Sequence, residues 1–254
     1  GQHGIWFRFC WHPLALVLQH LVKLCIGFKY LVGFAFIPFL IPIVSAAEQS
    51  TLDGVWFLTE SETPENLYLT PAGQEALENF DVITDDGDNY CIPVSFTNTL
   101  HTPSPPFEIR LHEDYVEINY EFMDVKRRVP LDASLTVENA PYTVSDYPHL
   151  GRSVGRFEAE ILVVDTAGQE DGVLDTGNVS GVAGLPQSVQ MRTEERFIVN
   201  GDELRVVIRH NDPVNYSNDL IVRYSFHRID AEIMEWNCEP ETAGYDKYLE
   251  SQED

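Results

Sequence analysis

The chain has 254 residues, of which 41 are acidic and 16 basic, for a formal net charge of −25. This balance excludes a nucleic-acid binder, because backbone recognition relies on Lys and Arg to neutralise phosphates. It favours a solvated acidic surface instead.

Residues 1–47 differ in composition from the rest and read as a leader. Tyr30–Val44 is an uncharged apolar run of fifteen residues, preceded by Lys23 and Lys29 and followed by Ser45, Ala46 and Ala47. A basic flank, an apolar stretch and small residues are the parts of a removable signal segment. The run falls short of the roughly 20 residues needed to span a bilayer, and Pro38 and Pro42 interrupt its second half. The expectation is a periplasmic or extracellular protein that meets a membrane only through the leader if it stays uncleaved. The alternatives are an uncleaved anchor or a buried apolar hairpin. Removal after Ala47 takes Arg8, Lys23 and Lys29 and no acidic residue, leaving 13 of the 16 basic side chains against 41 acidic ones. The 193 residues from 48 to 240 suffice for a single β-rich domain with its own core, without a metal or dense cross-links.

Leu52–Leu58 opens this domain as a short apolar strand. Tyr68–Phe80 reads as a helix, with Thr70 as cap, Pro71 at the first helical position and Leu69, Ala72, Ala76, Leu77 and Phe80 roughly on one face. The acidic stretch 81–89 and the Pro-rich stretch 101–106 read as loops. From Phe107 the period becomes two. Phe107–Leu111 and Tyr115–Phe122 form a hairpin with Val116, Ile118, Tyr120 and Phe122 on one face, and Lys126–Leu131 follows. Ser153–Glu158 pairs with Ile161–Thr166, and Arg192–Val199 pairs with Glu203–His210 across Asn200-Gly201, a strong hairpin signal. Leu220–Arg228 and Ala231–Cys238 read as the last pair. The Gly-, Asp- and Ser-rich stretch 167–190 interrupts the series as a lid, a binding loop or a plain surface insertion. Residues 241–254 are acidic and are expected to form a partly disordered tail. Eight or nine strands in this order make an antiparallel meander, and the expected fold is an all-β, lipocalin-like barrel with one short early helix. A β-sandwich is the alternative.

Cys10 and Cys25 fall in the leader, so Cys91 and Cys238 are the pair left to the domain. In an exported chain they are expected to form one disulfide, with two separate buried thiols as the alternative. His112, His149, His210 and His227 lack regular ligand spacing, so neither a metal site nor a cofactor is expected. Asn178-Val179-Ser180 and Asn215-Tyr216-Ser217 fit the glycosylation sequon, which matters only on a eukaryotic secretory route. Gly151-Arg152-Ser153-Val154-Gly155 has the letters of a hydrolase nucleophile elbow, but that motif needs a strand-turn-helix setting. Here a hairpin continues from Phe157, and Ser153 reads as a strand hydroxyl.

Gly54-Val55-Trp56 on the first strand resembles the Gly-x-Trp opening of lipocalin-type barrels. The resemblance implies that Trp56 closes one end of the barrel while a late-strand Arg, here Arg223 or Arg228, packs across it by cation–π attraction. A second resemblance rests on the block from Gly151 to Thr166 (GRSVGRFEAEILVVDT), with Tyr120-Glu121, Arg127, Glu195-Arg196-Phe197, Asp212-Pro213, Tyr216 and Cys238-Glu239. These are similar to the pattern of a family of uncharacterised exported bacterial proteins, which implies export and a β fold. Two positions depart from that pattern: Arg152 and Gln187 stand where the family often has His.

The leading functional expectation is a barrel that binds a small, partly apolar ligand in its mouth. Trp56, Tyr120, Phe157 and Tyr216 supply aromatic contacts, and Arg156 or Arg196, with Glu195, supply polar ones. The rival is an acid/base hydrolase or isomerase drawing on Glu121, Arg127, Glu158, Glu195, Asp212, Tyr216 or Glu239, with Arg196 or Arg156 holding an anionic substrate group. A third reading is a non-catalytic envelope or interaction protein with a filled core. No feature of the sequence specifies an oligomeric state.

Overall fold

The alternation that begins near Phe107 becomes a continuous antiparallel ladder. In the computed structural model the strands are β1 (Gly54–Glu62), β2 (Phe107–Leu111), β3 (Tyr115–Tyr120), β4 (Lys126–Pro130), β5 (Arg152–Glu158), β6 (Ile161–Ala167), β7 (Gly172–Asp175), β8 (Leu185–Gln187), β9 (Arg192–Asn200), β10 (Glu203–Asn211) and β11 (Leu220–Ile229). The structure describes residues 51–239 except 63, 65, 102–104 and 178–181. All of these lie in the second of the two units into which the chain divides, Glu48–Asp254. The expected leader, acidic tail and Asn178 sequon lie outside the described residues.

Nine strands form one sheet in the order β4-β3-β2-β1-β11-β10-β9-β6-β5, and β7 and β8 pair separately. The end strands β4 and β5 run against each other without a shared ladder, so the sheet is a nearly closed barrel with one seam. Gly155 sits at that seam. A Cβ there would lie 3.0 Å from the side chains of Val129 and Leu131, so the absence of a side chain lets the strands approach.

Period-two burial fills the interior. Leu204, Val206 and Ile208 of β10 and Val222, Tyr224 and Phe226 of β11 are all buried, each alternating with more exposed neighbours. Each large apolar side chain so removed from water stabilises the fold by about 1.5–3 kcal/mol. Phe107 meets Phe226 edge-on and Tyr120 in a stack, which ties β2 and β3 to β11 across the interior.

One barrel end is closed by Trp56, which is fully buried and donates from Nε1 to the Leu52 carbonyl at 3.0 Å. The Arg228 guanidinium lies 4.2 Å over its ring and donates to the carbonyls of Asp53 and Thr51. Of the two expected arginines, Arg228 takes this place. Gly54 has φ +139° and directly underlies Arg228, where any side chain would collide with the guanidinium.

Helix α1 (Pro71–Glu78) starts as the sequence predicts, with Thr70 Oγ1 accepting from Gly73 N and Pro71 in the first turn. The sequence gives no sign of α2 (Phe96–His101). Its Thr and Asn residues have low helix propensity, and it forms because all six of its residues are buried, with Ser95 Oγ accepting from Asn98 N at 3.0 Å.

The expected last strand, Ala231–Cys238, does not form. β11 already pairs with β1 on one side and β10 on the other, so it offers no edge to a following hairpin strand. The segment docks through carboxylates instead: Met234 N donates to Glu121 and Trp236 N to Asp124. Cys238 is bonded to Cys91, a disulfide spanning a sequence separation of 147.

Candidate functional site

The strand parity that buries Val125 and Val129 also turns Arg127 of β4 into the barrel, where it is fully buried. It is the only buried Lys or Arg among the described residues. On β9 the same logic places Glu195 inside beside Phe197, and the two charges meet. Arg127 Nη1 donates to Glu195 Oε1 at 3.0 Å and Nη2 to Oε2 at 2.5 Å. Nη2 also reaches Ser153 Oγ of β5 and Thr166 Oγ1 of β6, each at 2.9 Å. One guanidinium thus ties β4 to β5, β6 and β9 across the seam that backbone hydrogen bonds leave open. Phe96 of α2 covers it, with its ring centroid 3.8 Å from the guanidinium carbon.

Burial works against the Arg127 charge, but Glu195 and Tyr120 more than offset it and hold the guanidinium above its usual range. Burial pushes the Tyr120 phenol up to about 12, although Arg127 opposes the shift. Tyr120 is therefore a neutral group at the inner wall, its oxygen 3.5 Å from Arg127 Nη1.

Beside this pair the barrel holds a small cavity of about 20 Å³, space for a single water. Its polar wall includes Thr97, Thr166, Thr193, Glu195, Gln187 and His210, and its apolar wall includes Phe96, Leu150, Leu174 and Met191. His210 is fixed at both ring nitrogens, Nε2 3.1 Å from Thr97 Oγ1 and Nδ1 2.9 Å from Thr193 Oγ1. Burial depresses its pKa to about 4, against a smaller opposing effect of Asp212, so the imidazole is neutral at physiological pH.

The roof of this end consists of α2 and the β7–β8 hairpin, which lies within the interrupting stretch 167–190. Ser95 Oγ donates to the Leu174 carbonyl at 2.5 Å, and His149 Nε2 lies 2.8 Å from the Pro93 carbonyl. The hairpin shares no ladder with the barrel. Near it, burial raises the Asp88 carboxyl to about 7, with neighbouring Asp86 adding to the shift.

The structure brings together Tyr120 and Glu195, joined by Arg127, which the sequence places only among acid/base candidates. It does not bring the other expected ligand-binding residues to this point. Arg156 and Arg196 lie on the outer wall, because their parity on β5 and β9 is opposite to that of Ser153 and Glu195. Arg156 pairs there with Asp165 and Glu158, and Arg196 with Glu158 at 2.7 Å. Arg156 borders an open outer groove of about 530 Å³ that also contains Asp165 and Glu194. Phe157 has the inner parity but sits at the rim near the β5–β6 turn, 44% exposed. Trp56 belongs to the opposite end, since it pairs with Arg228 at the far end of β11 while His210 pairs with Leu220 at its start. Tyr216 is buried beside β8, its hydroxyl donating to the Pro186 carbonyl at 2.8 Å. Ser153 is a buried strand hydroxyl 2.8 Å from Thr166.

No protein-family model matches the chain, and no curated protein matches it. Among solved structures, wild-type fluorescent protein UnaG aligns at 16% identity over 70% of this chain and 96% of its own, with a TM-score of 0.36. The REP1-NXSQ fatty acid transporter aligns at 12% identity over 71% and 98%, with a TM-score of 0.35. Apo lipid binding protein 8 of Caenorhabditis elegans aligns at 14% over 70% and 94%, with a TM-score of 0.34. The barrel assignment itself stands on the ladders and on the approach of β4 to β5.

Proposed function

We propose that this protein is an exported binding barrel that takes a small, partly apolar molecule at the end roofed by α2 and the β7–β8 hairpin. The observation that carries the reading is the cavity there, whose wall is apolar on one side and hydrogen-bonding on the other. In the closed form it has room for one water, so a ligand enters by displacing the roof. That movement breaks side-chain bonds such as Thr97 to His210 and Tyr216 to the Pro186 carbonyl, and no barrel ladder. Export is supported by the Cys91–Cys238 disulfide, which suits an oxidising compartment.

The acid/base reading has less support. It asks for carboxylates converging on one point, whereas those named from the sequence are occupied elsewhere. Both Glu195 oxygens bind Arg127, Glu121 holds Met234 N, and Asp212 binds Ser188, Val214 and Asn215.

Native mass spectrometry of the purified protein, with titration by the neutral dye Nile red, tests the binding reading. The expected result is a co-purifying small molecule lost on denaturation, and saturable dye binding that is abolished by Thr193→Phe, which fills the cavity. No bound species together with no saturable dye binding would overturn the binding reading.

A further inference from the structure

Resting on that binding reading, we infer that the ligand presents an uncharged hydrogen-bonding head group, such as an alcohol or primary amide, to this cavity and that carboxylates are rejected. The argument begins with Arg127, the one buried cation among the described residues and the group an anionic ligand would seek. Its fork is already taken. Nη1 and Nη2 hold the two oxygens of Glu195, Nη2 also reaches Ser153 and Thr166, and Phe96 lies against the guanidinium face. The Nε–H has no partner among the described residues, but it is a single donor and lacks the paired geometry a carboxylate uses.

The protein has therefore supplied its own counter-ion, and that counter-ion borders the cavity. A ligand carboxylate would bring a second negative charge beside Glu195 with one guanidinium between them, in a site with little water to screen the repulsion. An ammonium head fares no better, because Glu195 is already neutralised by Arg127 and the new cation would be desolvated without a partner of its own. What remains on the wall suits a neutral group. The Thr97 and Thr193 hydroxyls, each with one bond to His210, and Thr166, bonded to Arg127 and Ser153, keep further hydrogen-bonding capacity, and a Glu195 oxygen can accept one more bond from an O–H or N–H. The apolar side formed by Leu150, Leu174 and Met191 takes the first carbons of the tail.

A matched head-group series tests this: dodecanol, dodecanamide, dodecylamine and dodecanoate, each competing with Nile red for the purified protein at pH 7.5. The expected result is displacement by the alcohol and amide, with dodecanoate and dodecylamine at least tenfold weaker. In Glu195→Gln, Arg127 loses its counter-ion, and the order is expected to reverse, dodecanoate gaining tenfold or more over dodecanol. Dodecanoate or dodecylamine equalling the alcohol on the wild-type protein overturns the inference and leaves the binding reading in place. The same holds if folded Glu195→Gln keeps the alcohol preference. Failure of Nile red to bind at all overturns the binding reading itself. The wild-type series decides alone if Glu195→Gln folds poorly.

Discussion

Arg127 shows how one side chain shapes both the seam and the cavity. A buried ion pair seldom adds net stability over an apolar pair of the same volume, because desolvating both charges offsets their attraction. Its consequence here is geometric, since an apolar residue at 127 would not link β4 to Ser153, Thr166 and Glu195. His210 is the second residue whose burial has a measurable consequence. Its folded-state pKa, about 4, lies below the ordinary value of 6.5, so the unfolded chain binds the proton more readily. Its neutral form therefore contributes stability that is fully present above about pH 6.5 and is lost as pH falls through 4. By linkage the loss over that window is about 3 kcal/mol. Asp88 acts with opposite sign, because its carboxyl is held at about 7, above its usual 3.8, and its contribution falls as pH rises between those values. The two partly cancel in the wild-type profile, so the informative quantity is the difference between proteins. Urea unfolding of wild type and His210→Gln at pH 7 and pH 4 is expected to show the variant losing about 3 kcal/mol less across the range. Equal losses would show that His210 is protonated without penalty in the folded state.

At the scale of elements, what was legible followed from local pattern. Thr70-Pro71 marked the start of α1, Asn200-Gly201 the β9–β10 turn, and alternation marked β2 to β6 and β9 to β11. The pairing of Trp56 with a late Arg came from the resemblance to lipocalin-type barrels rather than from local pattern, and the structure selects Arg228 for it. What was not legible depended on partners distant in sequence. α2 is a helix through burial rather than propensity, and 231–238 has alternating letters but follows a strand, β11, already paired on both sides. Arg156 and Glu195 look equally suited to a site on paper, and only barrel closure decides that one parity is inside. Gly155 turns this dependence into a test of the seam. Its missing side chain lets β5 approach Val129 and Leu131, and a branched replacement must push β5 from β4 and strain the Arg127 bonds to Ser153 and Thr166. Gly155→Val is expected to cost about 1–3 kcal/mol, as over-packing does. Hydrogen exchange should quicken most at Ser153–Phe157 and Arg127–Val129. Uniform protection across the barrel would show that the seam is looser than this packing implies.

For the whole molecule, closure leaves few ways to hold the chain after β11, because the last barrel strand is already paired on both sides. The Cys91–Cys238 disulfide meets that need by fixing the final segment to the stretch just before α2. It thereby links the C-terminal side of the barrel to the roof of the cavity. The separation of 147 residues makes the loop long, and in the loop-entropy model such a cross-link stabilises by about 4–5 kcal/mol through the unfolded state. For a domain of this size, that corresponds to roughly 10–15 °C in Tm. Calorimetry of the protein with and without a phosphine reductant is expected to show a fall of that order, and Cys91→Ser/Cys238→Ser should match the reduced wild type. The roof supplies the discriminating observation. If the disulfide only restrains the unfolded chain, Nile red affinity measured well below both melting temperatures is unchanged by reduction. A weakened affinity in the reduced but folded protein would show that the cross-link also holds α2 and the hairpin in their closed positions.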